Sequence, residues 1–384
     1  MEAVARPTLS SVAVAARVSR QTVSNVINSP EVVAVATLER VRAVIDELGY
    51  RPNAAARQMR TRRSRLIAFR IEPTRDGVNG VVADRFLHAL TESAQESGYR
   101  VMLFTAADDD AEIRAYDDLM ASLDLDGTVV SSTHAGDRRT SWLTDHGLPF
   151  VTFGRPWGTA GPGVDPRAAD GPAAGAHPWV DVDGAVGTAA VTEHLVSLGH
   201  RRIAFLGWPA GSGVGDDRRA GWLRASMAAG LSVDGMSHSA VDDTTAGRAT
   251  TAALLDTCHP TALVCASDTL AVGALLEAGT RGLRVGRDLS VTGFDDTPAA
   301  RALDLTSVSQ PLVEAARRCV RTLADSLAGA PARSADARVL SAPAVLLDPT
   351  VTWRPSVGPP VTSDQAGRPV QGRDDAATTR RSST

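Results

Sequence analysis

The first sixty residues constrain this chain most, because two short helical patterns there are separated by a turn too tight for anything but a closely packed helix pair. Thr8 is placed to cap a first helix whose apolar residues Leu9, Val12, Ala13 and Ala16 recur at helical spacing. Ser19 is placed to cap a second, with Val23, Val26 and Ile27 on its inner face. Two capped helices joined by about three residues have helix-turn-helix geometry. A third pattern, with Val41, Val44, Ile45 and Leu48 on one stripe, supplies the support such a pair needs.

The second helix carries Arg20, Gln21 and Ser24 near its start and Asn25 one turn on. In a helix-turn-helix these positions enter the major groove, where arginine grips guanine and glutamine or asparagine grips adenine by paired hydrogen bonds. Such a pattern also fits a plain bundle with a solvated polar face, and charge separates the two readings. Residues 1 to 65 hold eleven arginines against five acids, a charge of +6. The whole chain sums to −4, so the remainder carries −10. A basic end on an acidic body is the footprint of phosphate contact confined to that end.

From Leu66 onward, β-rich runs alternate with helical patterns. The runs are Leu66–Ile71, Val101–Thr105, Thr128–Ser131, Phe150–Phe153, Arg202–Gly207, Ala262–Ala266 and Leu289–Gly293, with a helix from about Arg85 to Glu96. That alternation predicts parallel sheets covered by helices, and the 384-residue length calls for two of them, hence two Rossmann-like lobes with a cleft between. The chain has no lysine, which excludes Schiff-base and P-loop chemistry. Cys258, Cys265 and Cys319 form no paired motif and suit a reducing compartment. The glycines from Gly211 to Gly215 lack full dinucleotide-loop spacing, and no nucleophile elbow is present, so no catalytic constellation emerges. Asp108 to Asp110 read as a solvated loop, with no histidine spaced to join them in a metal site.

The run from Val12 to Asn28 (VAVAARVSRQTVSNVIN) and the segment from Leu48 to Asn53 (LGYRPN) resemble the DNA-binding head of the lactose/galactose-repressor (LacI/GalR) family of bacterial transcription regulators. The resemblance continues through His194–Gly207 (HLVSLGHRRIAFLG), Arg218–Trp222 (RRAGW) and Gly282–Asp296 (GLRVGRDLSVTGFDD), to about Trp353. It implies an all-α helix-turn-helix head (1–52), a hinge helix or linker (53–63), an α/β effector-binding and dimerisation domain like the periplasmic binding proteins (64–354), and a tail from 355 to 384. Periodicity is absent from that tail, which reads as disordered. The chain should cross between lobes near Asp183, Ser307 and the final strand around Val345 to Trp353.

The resemblance further implies a homodimer on double-stranded, pseudo-palindromic operator DNA, controlled by a small-molecule effector of carbohydrate type. DNA-contacting positions carried over from it are Thr8, Ser19, Arg20, Gln21, Thr22, Ser24, Asn25, Asn28, Tyr50, Asn53, Ala56, Arg57 and Met59, the last as a wedge between bases in the minor groove. Effector positions are Arg155, Arg218, Trp222, Ser267 and Asp295, with Trp157, Trp179 and Trp208 as candidate stacking platforms. No cofactor, metal or membrane association is implied. With no targeting or spanning segment in view, the cytoplasm is the expected compartment. Competing readings are an exported sugar receptor, which the head opposes, and a Rossmann-type enzyme, which the incomplete glycine loop opposes. Arg17 stands at a turn position that is normally glycine, and Ala34 where helix three usually has a serine cap, so strain at one and a missing cap at the other are expected. Gly184 and Ser267 replace frequent asparagines, and residues 158 to 177 form a long Gly/Ala/Pro-rich loop.

Overall fold

A computed structural model of the chain describes residues 7–51, 63–71, 80–157, 177–329 and 344–361. The expected hinge residues Asn53, Ala56, Arg57 and Met59 lie outside these, as do most of the long glycine-rich loop and the tail from residue 362. The chain divides into two compact units, Met1–Arg65 with Leu119–Asp126, and Leu66–Asp118 with Gly127–Thr384. Asp126 joins the first unit by accepting hydrogen bonds from the Ser64 and Arg65 N–H groups at 2.9 and 3.1 Å.

In the first unit, α1 (Leu9–Ala15), α2 (Arg20–Asn28) and α3 (Val35–Leu48) enclose a small core of Val12, Ala13, Ala16, Val23, Val26, Val41 and Tyr50. Thr8 and Ser11 cap α1 reciprocally, and Ser19 caps α2 by accepting from the Thr22 N–H at 3.0 Å. Arg17, in the tight turn between them, sits at φ 54, the left-handed conformation expected to strain a non-glycine residue there. Ala34 begins α3 with no side-chain cap, and Gly49 ends it at φ 61. Leu48, expected in the core, is 38% exposed, and Leu38 packs against the core instead.

The second unit holds two six-stranded sheets. The first orders its strands β11-β5-β4-β3-β1-β2, from β1 (Leu66–Ile71), β2 (Arg100–Thr105), β3 (Gly127–Val130), β4 (Phe150–Phe153), β5 (Trp179–Val182) and β11 (Ala344–Leu347). The second runs β12-β10-β9-β8-β6-β7, from β6 (Ile203–Gly207), β7 (Ser237–Ser239), β8 (Ala262–Cys265), β9 (Ser290–Phe294), β10 (Thr306–Ser309) and β12 (Thr350–Thr352). Among the described residues every strand pairing is parallel except β10 with β12. The chain crosses between sheets after β5, after β10 and between β11 and β12, near the positions the resemblance implied. After its second crossing, α12 (Leu312–Gly329) lays Ala315, Ala316, Cys319, Val320 and Leu323 on the first sheet, against Phe69, Val129, Val151 and Val180. Full burial of side chains of this size stabilises by roughly 1.5–3 kcal/mol each for the larger ones.

The described chain stays packed past the expected boundary at 355. Ser356 is buried, donates to the Val291 carbonyl at 2.7 Å and accepts from the Thr306 N–H at 2.8 Å. The Gly358 carbonyl accepts from Ser290 Oγ at 3.0 Å, and His200 Nε2 lies 2.8 Å from it. Residues 355–361 therefore finish the second lobe. Their lack of apolar periodicity is offset by backbone groups that fasten to buried side chains. None of the described helices is long and apolar enough to cross a membrane.

Candidate nucleic-acid interface and effector cleft

On α2, Arg20, Gln21, Ser24, Asn25 and Asn28 fall on one side while Val23 and Val26 are buried on the other. Arg20, Gln21 and Asn28 are exposed. Gln21 Nε2 donates to Asn25 Oδ1 at 2.9 Å, and Asn28 Nδ2 donates to the Ser24 carbonyl at 2.7 Å, so the amides are aligned along the helix in advance. Thr8, Ser19 and Thr22 mark the exposed N-terminal ends of α1 and α2, where free N–H groups and the helix dipole favour an anion such as phosphate. Tyr50 corrects the sequence reading. It is only 8% exposed and packs in the head core, because the left-handed Gly49 folds the chain back over α1 and α3.

In the second unit the cleft lies at the carboxyl ends of the parallel strands, as open α/β sheets require. From the first lobe, Arg155 follows β4 and donates from Nε to Asp181 at 2.6 Å. Its Nη2 reaches Asp217 at 3.3 Å, on α8 (Val214–Ala228) of the other lobe. Asp217 also accepts from the Ala185 N–H at 3.0 Å, and burial pushes its carboxyl up to about 6 despite the Arg155 charge. Trp157 lies under the Arg155 guanidinium at 4.7 Å, donates to Thr133 Oγ1 at 3.1 Å, and rests on Gly213 of the second lobe. Arg85, on α4 (Gly80–Glu96), donates to the Asp295 carbonyl at 3.3 Å. Three side chains of the first lobe thus touch the second.

Arg218 lies deep on α8, 4% exposed, with its guanidinium 3.6 Å from the Phe294 ring centroid and 5.0 Å from that of Trp208. It donates to the Ala266 carbonyl at 2.5 Å and to Asp295 at 3.5 Å. Asp295 follows β9 at φ 103, a conformation held in place by Gln310 Nε2, which donates to its carboxylate at 2.6 Å. Burial raises the Asp295 pKa against these cations and donors. The next helix, α11 (Pro298–Ala302), is capped by Thr297 and not by Asp295, whose carboxylate therefore faces the cleft partners alone. Beneath it, Asp268 accepts from Ser307 Oγ at 2.6 Å and from the Thr297 N–H at 2.7 Å, and burial together with the Asp295 charge pushes it up to about 7.

Two expected effector residues stand elsewhere. Trp222 is fully buried in the second lobe, stacked on Phe205 and donating to the Ile203 carbonyl, because α8 turns its apolar face onto β6. Ser267 is also fully buried. Its hydroxyl accepts from the Leu270 N–H as the cap of α10 (Asp268–Thr280) and donates to Asp242 at 2.5 Å, so it acts on the cleft through Asp242. Trp179 is core. Sequence reasoning passed over Arg85, Asp217, Asp242 and Gln310, none of which sits in a distinctive motif.

The fold also corrects the reading of Asp108–Asp110. His134 and Asp137, distant in sequence, come beside Asp109, with potential ligand atoms within 4.8 Å of one another. Arg139 fills the middle of this group, donating to both Asp137 oxygens at 2.9 and 2.7 Å and to buried Glu112 at 2.7 Å. A guanidinium so placed already neutralises the carboxylates and makes the group a salt-bridge network.

Residues 8–53 match the family of bacterial regulatory proteins of the lacI type, and residues 192–356 match the periplasmic binding protein-like domain. The HTH-type transcriptional regulator CelR of Thermobifida fusca is 33% identical over 337 residues, spanning 86% of this chain and 94% of that protein. Among solved structures, the CelR–cellobiose complex superposes with a TM-score of 0.66 at 29% identity, covering 91% of this chain and all of that one. The lac repressor dimer bound to operator and the anti-inducer ONPF superposes at 0.73 with 25% identity, covering 92% and 99%.

Proposed function

The chain belongs to the lacI family of bacterial regulatory proteins and is a DNA-binding transcriptional regulator, and from that premise we propose that it acts as a homodimeric repressor holding a pseudo-palindromic operator under the control of a sugar or sugar derivative. The polar face of α2 is the observation that carries the DNA half of this reading. Arg20, Gln21, Ser24, Asn25 and Asn28 read base edges, while Thr8, Ser19 and Thr22 position the helices on phosphates. Residues 1–52 form the head, and the hinge 53–63 orders in the minor groove with Ala56, Arg57 and Met59 facing it and Asn53 leading in. An isolated helix that short is marginal in water, so its folding is available as a switch.

The domain from residue 64 onward binds the effector through Arg155, Arg218 and Asp295, with Ser267 acting through Asp242 and Trp222 fixing α8 from behind. A sugar that bridges the lobes changes how they close, and that change favours or disfavours the operator-bound state. CelR has been seen with cellobiose, which supports a carbohydrate here. The protein works in the cytoplasm and, like the regulators it is similar to, acts by binding and not by catalysis.

The test is selection of bound duplexes from a random DNA pool by the full-length protein, at fixed low salt, with and without a panel of sugars. The proposal expects an inverted repeat whose recovery one sugar alters. Failure to enrich a symmetric site would overturn the DNA half, and conversion of any sugar to a product would overturn the non-catalytic part.

A further inference from the structure

The described side chains of the cleft are more acidic than basic. Three guanidiniums, Arg85, Arg155 and Arg218, face five carboxylates, Asp181, Asp183, Asp217, Asp242 and Asp295. Part of their hydrogen-bonding capacity is already committed. Arg155 gives Nε to Asp181 and Nη2 to Asp217 and the Val182 carbonyl. Arg218 gives Nη1 to Ala266 and Nη2 to Asp295, leaving its buried Nε without a partner among the described residues.

The N-termini of four second-lobe helices, the other common source of anion affinity, are likewise satisfied from within the chain. Asp183 caps α7 (Gly184–Ser197) by accepting from the Val186 N–H at 2.9 Å. Asp216 accepts from the Gly211 and Gly213 N–H groups at the start of α8. Asp243 accepts from Thr245 and Ala246 at the start of α9 (Thr244–Thr257), and Ser267 caps α10. Three of these four caps place a carboxylate where a phosphate would otherwise go.

What the cleft leaves open suits a hydroxyl group. The Trp208 N–H lies close enough to the Asp242 carboxyl to lower its pKa against burial. Yet Trp208 Nε1 and Asp242 Oδ2 are both buried without a well-formed hydrogen bond among the described residues. With Arg218 Nε, that makes two donors and one acceptor awaiting partners on one side of the cleft. A hydroxyl donates and accepts at once and satisfies such a set, whereas an anionic group brings a further negative charge beside Asp242 and Asp295.

Resting on the effector reading above, we propose that this cleft selects an uncharged, hydroxyl-rich ligand, a neutral sugar and not a sugar phosphate or other anion, and that Asp242 with the Trp208 N–H grips one of its hydroxyls. The full-length protein, bound to its selected operator, is titrated with a library of neutral mono- and oligosaccharides and polyols, cellobiose and maltose included, and with phosphorylated counterparts such as glucose 6-phosphate. Binding is read by calorimetry and by change in operator anisotropy. At least one neutral member should bind, with its phosphorylated counterpart at least ~100-fold weaker, and Asp242→Asn should narrow that ratio at least ~10-fold while weakening the neutral sugar. A phosphorylated member that binds more tightly than its neutral counterpart overturns the proposal, as does a library in which no neutral member binds while the operator complex stays intact. An unchanged ratio in Asp242→Asn, read with a folded variant that still binds operator, removes Asp242 from it. Failure of the wild-type chain to bind any operator instead strikes the underlying regulator reading, so the two failures are distinct.

Discussion

Replacing Asp217 by asparagine should stabilise the two-lobed unit at neutral pH, although the substitution removes one side of a salt bridge. In the folded chain burial raises the Asp217 carboxyl from 3.8 to about 6, so ionising it there is harder than in the unfolded chain even with Arg155 3.3 Å away. A pKa raised by folding contributes stability below the unfolded value and loses it as pH rises through the folded value. At 1.36 kcal/mol per pH unit, the full difference is about 3 kcal/mol, roughly half of it present at pH 5 and nearly all at pH 7. Asparagine keeps an acceptor for the Ala185 N–H, and Asp181 at 2.6 Å still holds Arg155, so no buried donor is stranded. Urea unfolding of both proteins between pH 5 and 8 is the assay. The variant should be the more stable throughout, by a margin that grows toward pH 7 and then levels off. A variant that is less stable at pH 7, or an advantage that shrinks as pH rises, would refute the argument that desolvation outweighs the cross-lobe pair.

Other perturbations have equally definite outcomes. Arg17→Gly relieves the left-handed strain at φ 54 and Ala34→Ser adds the missing cap, each raising the head's stability by about 1 kcal/mol in thermal unfolding of the full chain. Gly213→Ala brings a Cβ to 2.6 Å from Trp157 Cγ at φ 67, so it should cost about 1–2 kcal/mol and shift Trp157 fluorescence. A silent substitution would mean that the two rims do not meet there. Arg20→Ala or Gln21→Ala should each lose about 1–3 kcal/mol of operator affinity at one base pair per half-site, read by competition with single-base operator variants. Equal losses on all sequences would assign that residue to phosphates.

The head was almost wholly legible in the sequence because capping side chains and a 3.6-residue apolar period act locally. Thr8, Ser19 and Arg17 adopt the roles their types and positions dictate. Central strands such as β6 and β8 were equally plain, since burial on both faces makes them continuous apolar runs. Edge strand β7, with the sequence Ser-His-Ser, carries no such signal and exists because it pairs with β6. Cleft residues divide along the same line. Arg218 and Asp295 lie in recognisable segments, whereas Asp217, Asp242 and Gln310 are ordinary polar residues whose roles arise when strand ends from distant parts of the chain converge. Trp222 and Tyr50 misled for the opposite reason, because an aromatic side chain in a functional segment can serve the packing behind that segment.

Coupling between the sugar cleft and the operator is reciprocal by thermodynamic linkage. The direct test measures operator affinity with and without the effector sugar, and sugar affinity with and without operator, on the same full-length protein. The two affinity ratios should agree and lie well away from one, on the order of 5–150-fold. Ratios of one, with both ligands bound, would show a head and a cleft that share a chain without communicating, and would contradict the coupling.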